Sequence, residues 1–512
     1  METMAIKNHS SNRLKALLAV GVAGAIILTG VPAVSAATAS VGSVCPKLGA
    51  TAKAGKTAVV CKDGGAQNVW TDKKVYQVSI QENAVVGGKN SAQAQWIAQY
   101  VIPNFTLDEA SKGKQVKVNF ISSGADDAAY KSSLALDLGA KKGPDVVNID
   151  GFWVSEFADA GYIKPLNDIL GAKAVAAWSG WKQIPATINQ VMTYNSKLYG
   201  VPAGTDGRII YFNKALFAQA GLPTNWQPKS WADILTAAET LKTKLPDVTP
   251  FQLNAGTAMG EATAMQGFLN FLAGAGSLVY NSKTGKWLGN TKAVRDMLSF
   301  YNDVYNVKKV GNADWQAMAG GTGRDASFKA FADGKLAMMI EGDYEWRSVI
   351  NPLTGNFPMA KRDSDVGFAK IPAQTAGSAV GKQNFVSYSG GSGYIVNANS
   401  KEKTTAWELL QFLNDKGPLT ASMAIGGSIR ISNRTDVNNV VLATDPCLKY
   451  VFTQAIPNTF FRPANSHYNA VSVLLQQATT DVVNGGMTAA AAAAKYETAL
   501  AAEVGAGNIS SN

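Results

Sequence analysis

The chain has 512 residues, 46% of them hydrophobic and 16% charged. That composition fits a folded protein of two or three domains at about 150 residues each and excludes a disordered one. Lys and Arg number 47 against 37 Asp and Glu, a formal charge of +10. The basic residues occur singly or in pairs such as Lys73-Lys74 and Lys308-Lys309, so they supply solubility and a long-range field and not a nucleic-acid footprint.

In chain order, a basic stretch ending at Arg13 and Lys15 precedes the apolar run ALLAVGVAGAIILTGVPAV and then Val34-Ser35-Ala36. That order predicts a secretory signal peptide over residues 1–36, cleaved near Ala36. The alternative is an uncleaved anchor, because the apolar run approaches the length that spans a bilayer. Lipid attachment at Cys45 is not expected, because Val44 stands where a small residue would be needed. The mature protein is therefore expected to be exported, extracellular or in the cell envelope, and soluble.

Residues 37–74 read as a small N-terminal module. Gly49 to Gly55-Lys56-Thr57 imitates a phosphate-binding loop, but five residues separate the glycines where the motif has four. An oxidising compartment favours a Cys45–Cys61 disulfide, with Trp70 as a packing partner. Cys447 is left over and is expected to be a buried thiol, the alternative being an intermolecular link.

From residue 75 strands and helices alternate. VYQVSI (75–80), QVKVNFIS (115–122) and PDVVNI (144–149) read as strands, with helices near 92–102 and 127–139 between them. This β-α-β-α-β order predicts a doubly wound α/β domain whose ligands sit beyond the carboxyl ends of the strands. The run Ile209–Phe212 reads as a strand, and Asn213 and Gly221-Leu222-Pro223 delimit a helix. Ser230 and Asp233 start another helix. Helical spacing recurs at Ala293, Val294, Met297, Leu298 and Tyr301, and again from Ala406 to Leu413 up to Gly417-Pro418. Gly-rich SYSGGSGY (387–394) reads as a crossing strand. The Ala-rich MTAAAAAAKYETALAAEV closes the chain as a helix, and the tail after Gly505 is expected to lack fixed structure.

Five segments carry a resemblance: GPDVVNIDGFWVSEFADAGYIKPL, LYGVPAGTDGRIIYFNKALFAQAGLP with SWADIL, FADGKLAMMIEGDYEW, GGSGYIVNANSKEKTTAWELLQFL and RPANSHYNAV. In this order, from about Val75 to Val504, they resemble the extracellular solute-binding proteins of ABC importers, in the carbohydrate-binding family that includes maltose-binding protein. The resemblance implies an α/β, two-lobed periplasmic-binding-protein fold, each lobe a mixed sheet flanked by helices, joined by a hinge. It places 75–205 in lobe 1, 206–390 in lobe 2, 391–458 back in lobe 1, and the C-terminal helices of 459–505 mainly in lobe 2. The first crossing falls near Gly204–Arg208 and the return near Ser389–Gly393. Residues 37–74 lie outside the pattern.

The implied function is capture of a sugar or oligosaccharide between the lobes by hinge closure and delivery to ABC permease subunits. A monomer is expected, with no enzyme activity, cofactor, metal or nucleic acid. A sugar needs flat aromatic surfaces and paired polar groups. Tyr344 and Tyr468 stand where the family places stacking aromatics. Glu341 and Asp343 suit sugar hydroxyls, unless they are solvated loop carboxylates. Trp346 either stacks or packs on its lobe. Asp150, Trp153, Glu82 and Asn83 follow strand ends. Asp206 and Arg208 either bind sugar or pair at the hinge, and Arg430 and Arg462 either bind or form structural ion pairs. Asn254–Gly260 lacks aromatics, which suggests a roomier pocket.

Two alternatives remain at this point: a secreted carbohydrate-active hydrolase using paired carboxylates, and a sugar-binding subunit of a sensory system. His9 lies in the leader, so His467 is the only mature imidazole, and no HExxH or GxSxG occurs.

Overall fold

A computed structural model describes residues 39–511 apart from 320 and 426–429. The expected signal peptide falls outside the described residues. Among those described, no helix is long and apolar enough to cross a membrane.

The N-terminal module is a three-stranded antiparallel meander of β1 (Thr51–Ala54), β2 (Thr57–Asp63) and β3 (Asn68–Asp72). A disulfide joins Cys45 to Cys61 with Cα atoms 5.8 Å apart, packed against Val59 and Trp70. The phosphate-loop imitation is a hairpin turn: Ala54 pairs with Thr57, and Gly55 takes a φ of 62° that a side chain would resist. The module docks on the first lobe through backbone bonds, Asp72 N–H to Gly113 O among them.

Lobe 1 begins with β4 (Val75–Glu82), β5 (Gln115–Ser122) and β6 (Val146–Asp150). The helix between the first two runs from Ser91 to Ser111, longer than the sequence spacing suggested, and Asp127–Gly139 links the next pair. β7 (Gly200–Pro202) ends the lobe's first passage. Lobe 2 contributes β8 (Arg208–Asn213), β9 (Thr249–Gln252), β10 (Leu336–Gly342) and β11 (Val366–Ala369). β12 (Phe385–Ser389) and β13 (Ser392–Val396), separated by Gly390-Gly391, return the chain to lobe 1, and β14 (Thr459–Phe461) later pairs with β12.

The sheet of lobe 1 has the order β5-β4-β6-β13-β7, parallel over its first three strands and antiparallel thereafter. That of lobe 2 is β9-β10-β8-β11, with β9 and β10 parallel and β8 antiparallel to both its neighbours. Every residue of β8 and β10 is buried, as sheets covered on both faces require. Each lobe is thus a mixed sheet between helices.

Local chemistry explains the helix ends. Asn213 accepts from the N–H groups of Ala215 and Leu216 at 3.0 and 3.1 Å, and Ser230 with Asp233 forms a full capping box. Gly417-Pro418 does not end a helix. It lies in the first turn of Lys416–Met423, where the N–H that Pro lacks is not needed.

Two sequence expectations are corrected. The tail after Gly505 is ordered: Ile509–Ser510 pairs in parallel with Trp287–Leu288, so Ile509 covers an apolar face. The return to lobe 1 ends well before 458. Val437 packs in lobe 1, but Leu442, Cys447, Leu448, Val451 and Ala455 share a core with Tyr211, Phe331 and Trp346 of lobe 2. A third crossing therefore runs near 430–442, and it bridges Ser432 to Gly204 of the first. The helices Tyr468–Val483 and Ala489–Val504 then pack on lobe 2.

Candidate functional site

The carboxyl ends of β4 and β6 in lobe 1 face the end of β10 in lobe 2 across the three crossings. A small crevice, partly open to solvent, lies beside the hinge between Gly151-Phe152, Gly390-Gly391 and Phe461-Arg462.

From lobe 1, Glu82 ends β4 and is 7% exposed; the Tyr394 hydroxyl donates to it at 2.6 Å. Burial raises its pKa from 4.5 to about 7, with Tyr394 and Arg430 offsetting part of the rise. Next to it, Asn83 donates to Ala125 O at 3.2 Å while its Oδ1 is buried without a partner. Asp150, at the end of β6, accepts from Phe152 N–H at 3.3 Å and from Arg462 Nη2 at 2.9 Å.

Lobe 2 presents the loop after β10. Glu341 is 1% exposed and takes Arg324 through both oxygens, at 3.1 and 2.7 Å, with Asn254 Nδ2 at 2.9 Å. Burial pushes the Glu341 pKa up, but Arg324 and the hydrogen bonds outweigh it and hold the carboxylate below its usual range. The Tyr344 hydroxyl donates to Glu341 at 2.5 Å and accepts from Arg324 and Gln266, each at 2.6 Å. The half-buried Tyr344 ring is thereby pinned at its polar end. Asp343 is fully buried, takes Arg347 Nε at 3.2 Å on Oδ1, and has no partner on Oδ2. Burial raises its pKa to about 6, with Arg347 lowering it and Asp206 raising it further.

The crossings add the cations. Asp206 and Arg208 form an ion pair, and Asp206 also accepts from Gly390 N–H at 2.6 Å. Arg430, at the start of the third crossing, lies within electrostatic reach of Glu82 of lobe 1 and of Asp343 and Arg347 of lobe 2. The Nε atoms of Arg208 and Arg430 are buried and unpartnered, as is Gln266 Oε1.

Electrostatic contacts link these residues across the hinge, Arg430 with Glu82 and Asp343, Asp206 with Asp150 and Asp343, and Arg208 with Tyr344, while Asn83 adjoins Glu82; none of them lines the crevice beside Gly390-Gly391. Three aromatics are placed differently. Trp153 (4% exposed) packs among Tyr130, Phe152 and Phe157. Trp346 (2%) lies in the lobe core with Arg362 3.8 Å from its ring centroid and Nε1 donating to Asp445 at 3.1 Å. Tyr468 is fully buried, its hydroxyl on Glu261 at 2.6 Å. Glu341, likewise buried, faces Arg324 and orients Tyr344. Sequence reasoning missed Arg324, Arg347, Glu261 and Gln266. No motif marks them, and only the polar character of 254–261 hinted at one side of the network.

With this geometry in view, the family of bacterial extracellular solute-binding proteins matches residues 87–418, well over half the chain. The chain belongs to that family. It is a family of binding proteins. Among solved structures, a solute-binding protein of an ABC transporter from Thermotoga lettingae, bound with α-D-tagatose, is similar at 24% identity. The match covers 83% of this chain and 100% of that one, with a TM-score of 0.66. The GacH receptor of Streptomyces glaucescens, solved unliganded and with acarbose, is 21% identical over 84% and 99% of the chains, TM-score 0.65. Maltose-bound MalE3 of Thermotoga maritima is 18% identical over 83% and 99%, TM-score 0.63. These likenesses show the two-lobed fold. As an extracellular solute-binding protein the chain acts outside the cytoplasm.

Proposed function

We propose that this solute-binding protein captures a neutral sugar or oligosaccharide between its lobes by hinge closure and hands it to the membrane subunits of an ABC permease. One observation carries the reading: side chains from both lobes and from the crossings keep buried polar atoms without partners, Asn83 Oδ1 in one lobe, Gln266 Oε1 and Asp343 Oδ2 in the other, and the Nε atoms of Arg208 and Arg430 at the hinge. A buried donor or acceptor left unpaired costs about 1–3 kcal/mol, and a ring of sugar hydroxyls supplies partners of both kinds. The Tyr344 ring offers the apolar C–H faces a stacking surface. Charge supports neutrality of the ligand, since Arg208, Arg324, Arg347 and Arg462 each have a carboxylate within 4 Å and Arg430, without one so near, lies in the field of Glu82 and Asp343. The α-D-tagatose, acarbose and maltose bound in the three similar structures are in keeping with this.

The protein works as a monomer, released from a signal peptide cleaved near Ala36, with Cys45–Cys61 bracing its N-terminal module. A thermal-shift screen over monosaccharides, disaccharides, oligosaccharides and polyols tests the capture, because a ligand at 100 times its Kd adds about 2.7 kcal/mol to the native state. No shift with any saccharide at millimolar concentration overturns the sugar assignment. Small-angle scattering tests the hinge: the radius of gyration is expected to fall when the stabilising sugar saturates the protein, and an unchanged value overturns closure.

A further inference from the structure

Arg462, just past β14, carries a set of contacts that holding a sugar does not require. Its side chain is 7% exposed and reaches both lobes. Toward lobe 1, Nη2 donates to Asp150 Oδ1 at 2.9 Å, and the guanidinium lies 4.0 Å from the Phe152 ring centroid. Toward lobe 2, Nη1 reaches Glu261 Oε1 at 3.4 Å. Glu261 is itself fixed by Tyr468 at 2.6 Å and Ser472 at 2.5 Å, both on the helix Tyr468–Val483. From that same helix Asn469 donates to Glu156 of lobe 1, and Tyr468 meets Phe152 edge-on at 6.2 Å. Gly390 leaves the room: a Cβ there would stand 3.3 Å from Arg462 Nη2.

We propose that Arg462 is an interlobe latch, one cation held between Asp150 of lobe 1 and Glu261 of lobe 2, which favours the closed hinge and slows the escape of a captured solute. A group biases a two-state hinge only if its contacts differ between the states. The ion pair Arg324–Glu341 lies wholly within lobe 2 and travels with it as one piece. The partners of Arg462 lie on different lobes, so opening parts Asp150 and Phe152 from Glu261 and lets water onto the guanidinium. Charge-assisted bonds and the cation–π contact are stronger in the dry seam than in water. Arg462 therefore acts as a positioning residue for closure.

The inference rests on the two-lobe closure proposed above, though not on the identity of the solute. Spin labels at Leu136→Cys in lobe 1 and Leu353→Cys in lobe 2, both sites well exposed, report the interlobe distance of the ligand-free protein. Arg462→Met and Asp150→Asn are expected to move the distance distribution outward, with Arg462→Lys, which keeps the charge but loses the fork, in between. With the sugar found by thermal shift, release from Arg462→Met is expected to be about tenfold faster, the factor of about 1.4 kcal/mol. Identical distance distributions in all variants overturn the latch. So does a fall in melting temperature without a distance change, which would make Arg462 a bond that only supports the fold. If Arg462→Met does not fold, the nearly isosteric Asp150→Asn decides. If no sugar binds, the capture reading fails, while the ligand-free distances still settle the latch.

Discussion

The two walls of the cleft are built on different principles. Lobe 2 presents Glu341 at the end of β10 and Asp343 and Tyr344 on the loop after it, tied by Arg324, Asn254, Gln266 and Arg347, so its side chains are fixed before a solute arrives. Lobe 1 presents Glu82 on a single tyrosine bond and Asn83 with one oxygen unpartnered. A pre-wired wall supplies orientation without ordering cost at binding, whereas a lightly wired one can adjust as the lobes meet. Each wall also has a tryptophan just past a strand end, and in both lobes that ring is buried as support.

The largest expected effects fall on those tryptophans. Trp346→Ala is expected to destabilise lobe 2 by about 3–5 kcal/mol, because it empties a fully packed site. Denaturant midpoints check this, and Trp153→Ala should cost lobe 1 a similar amount. A wild-type midpoint combined with lost sugar binding would instead make the ring a ligand contact. Next in size, Glu341→Gln should cost about 3 kcal/mol, because it leaves Arg324 without its counter-charge at a buried site. It should also loosen the Tyr344 ring, seen as a broadened tyrosine signal by NMR.

Tyr344→Ala should weaken sugar binding by about 1–3 kcal/mol if the ring stacks on the solute, read by calorimetry. A loss below about 0.3 kcal/mol refutes that contact. A further effect concerns pH. The Glu82 pKa is raised from 4.5 to about 7, so between those values the folded form carries a proton there that the unfolded chain lacks. Its contribution is complete below about 4.5 and is lost as pH rises through about 7. Glu82→Gln should flatten that part of a stability-against-pH profile, whereas Glu341→Gln should not, because the Glu341 pKa is lowered.

The local elements were legible because each is decided by neighbours in sequence. Strand β5 spans Gln115–Ser122 as its alternation suggested, Asn213 and Ser230 cap the helices they announce, and Cys45 finds Cys61. The order of segments was enough to indicate two lobes and a hinge. The chain's third crossing was not legible, because nothing local in 430–442 says that Cys447 and Val451 pack on Tyr211 rather than on lobe 1. The tail after Gly505 looked unstructured for the same reason: its partner, Trp287, lies more than two hundred residues away in sequence.

At the site, the sequence by itself determined which residues stand at strand ends and at the first two crossings, since chain direction and turn chemistry fix those positions. Only the tertiary structure decided what each does there. A tryptophan after a strand reads the same whether its ring faces a cleft or a core, and a carboxylate reads the same whether it is free or held by an arginine. Trp346 went to the core, Glu341 to Arg324, and Arg462 to both lobes at once. Burial and pairing depend on groups brought together from distant parts of the chain, and that is information no local pattern carries.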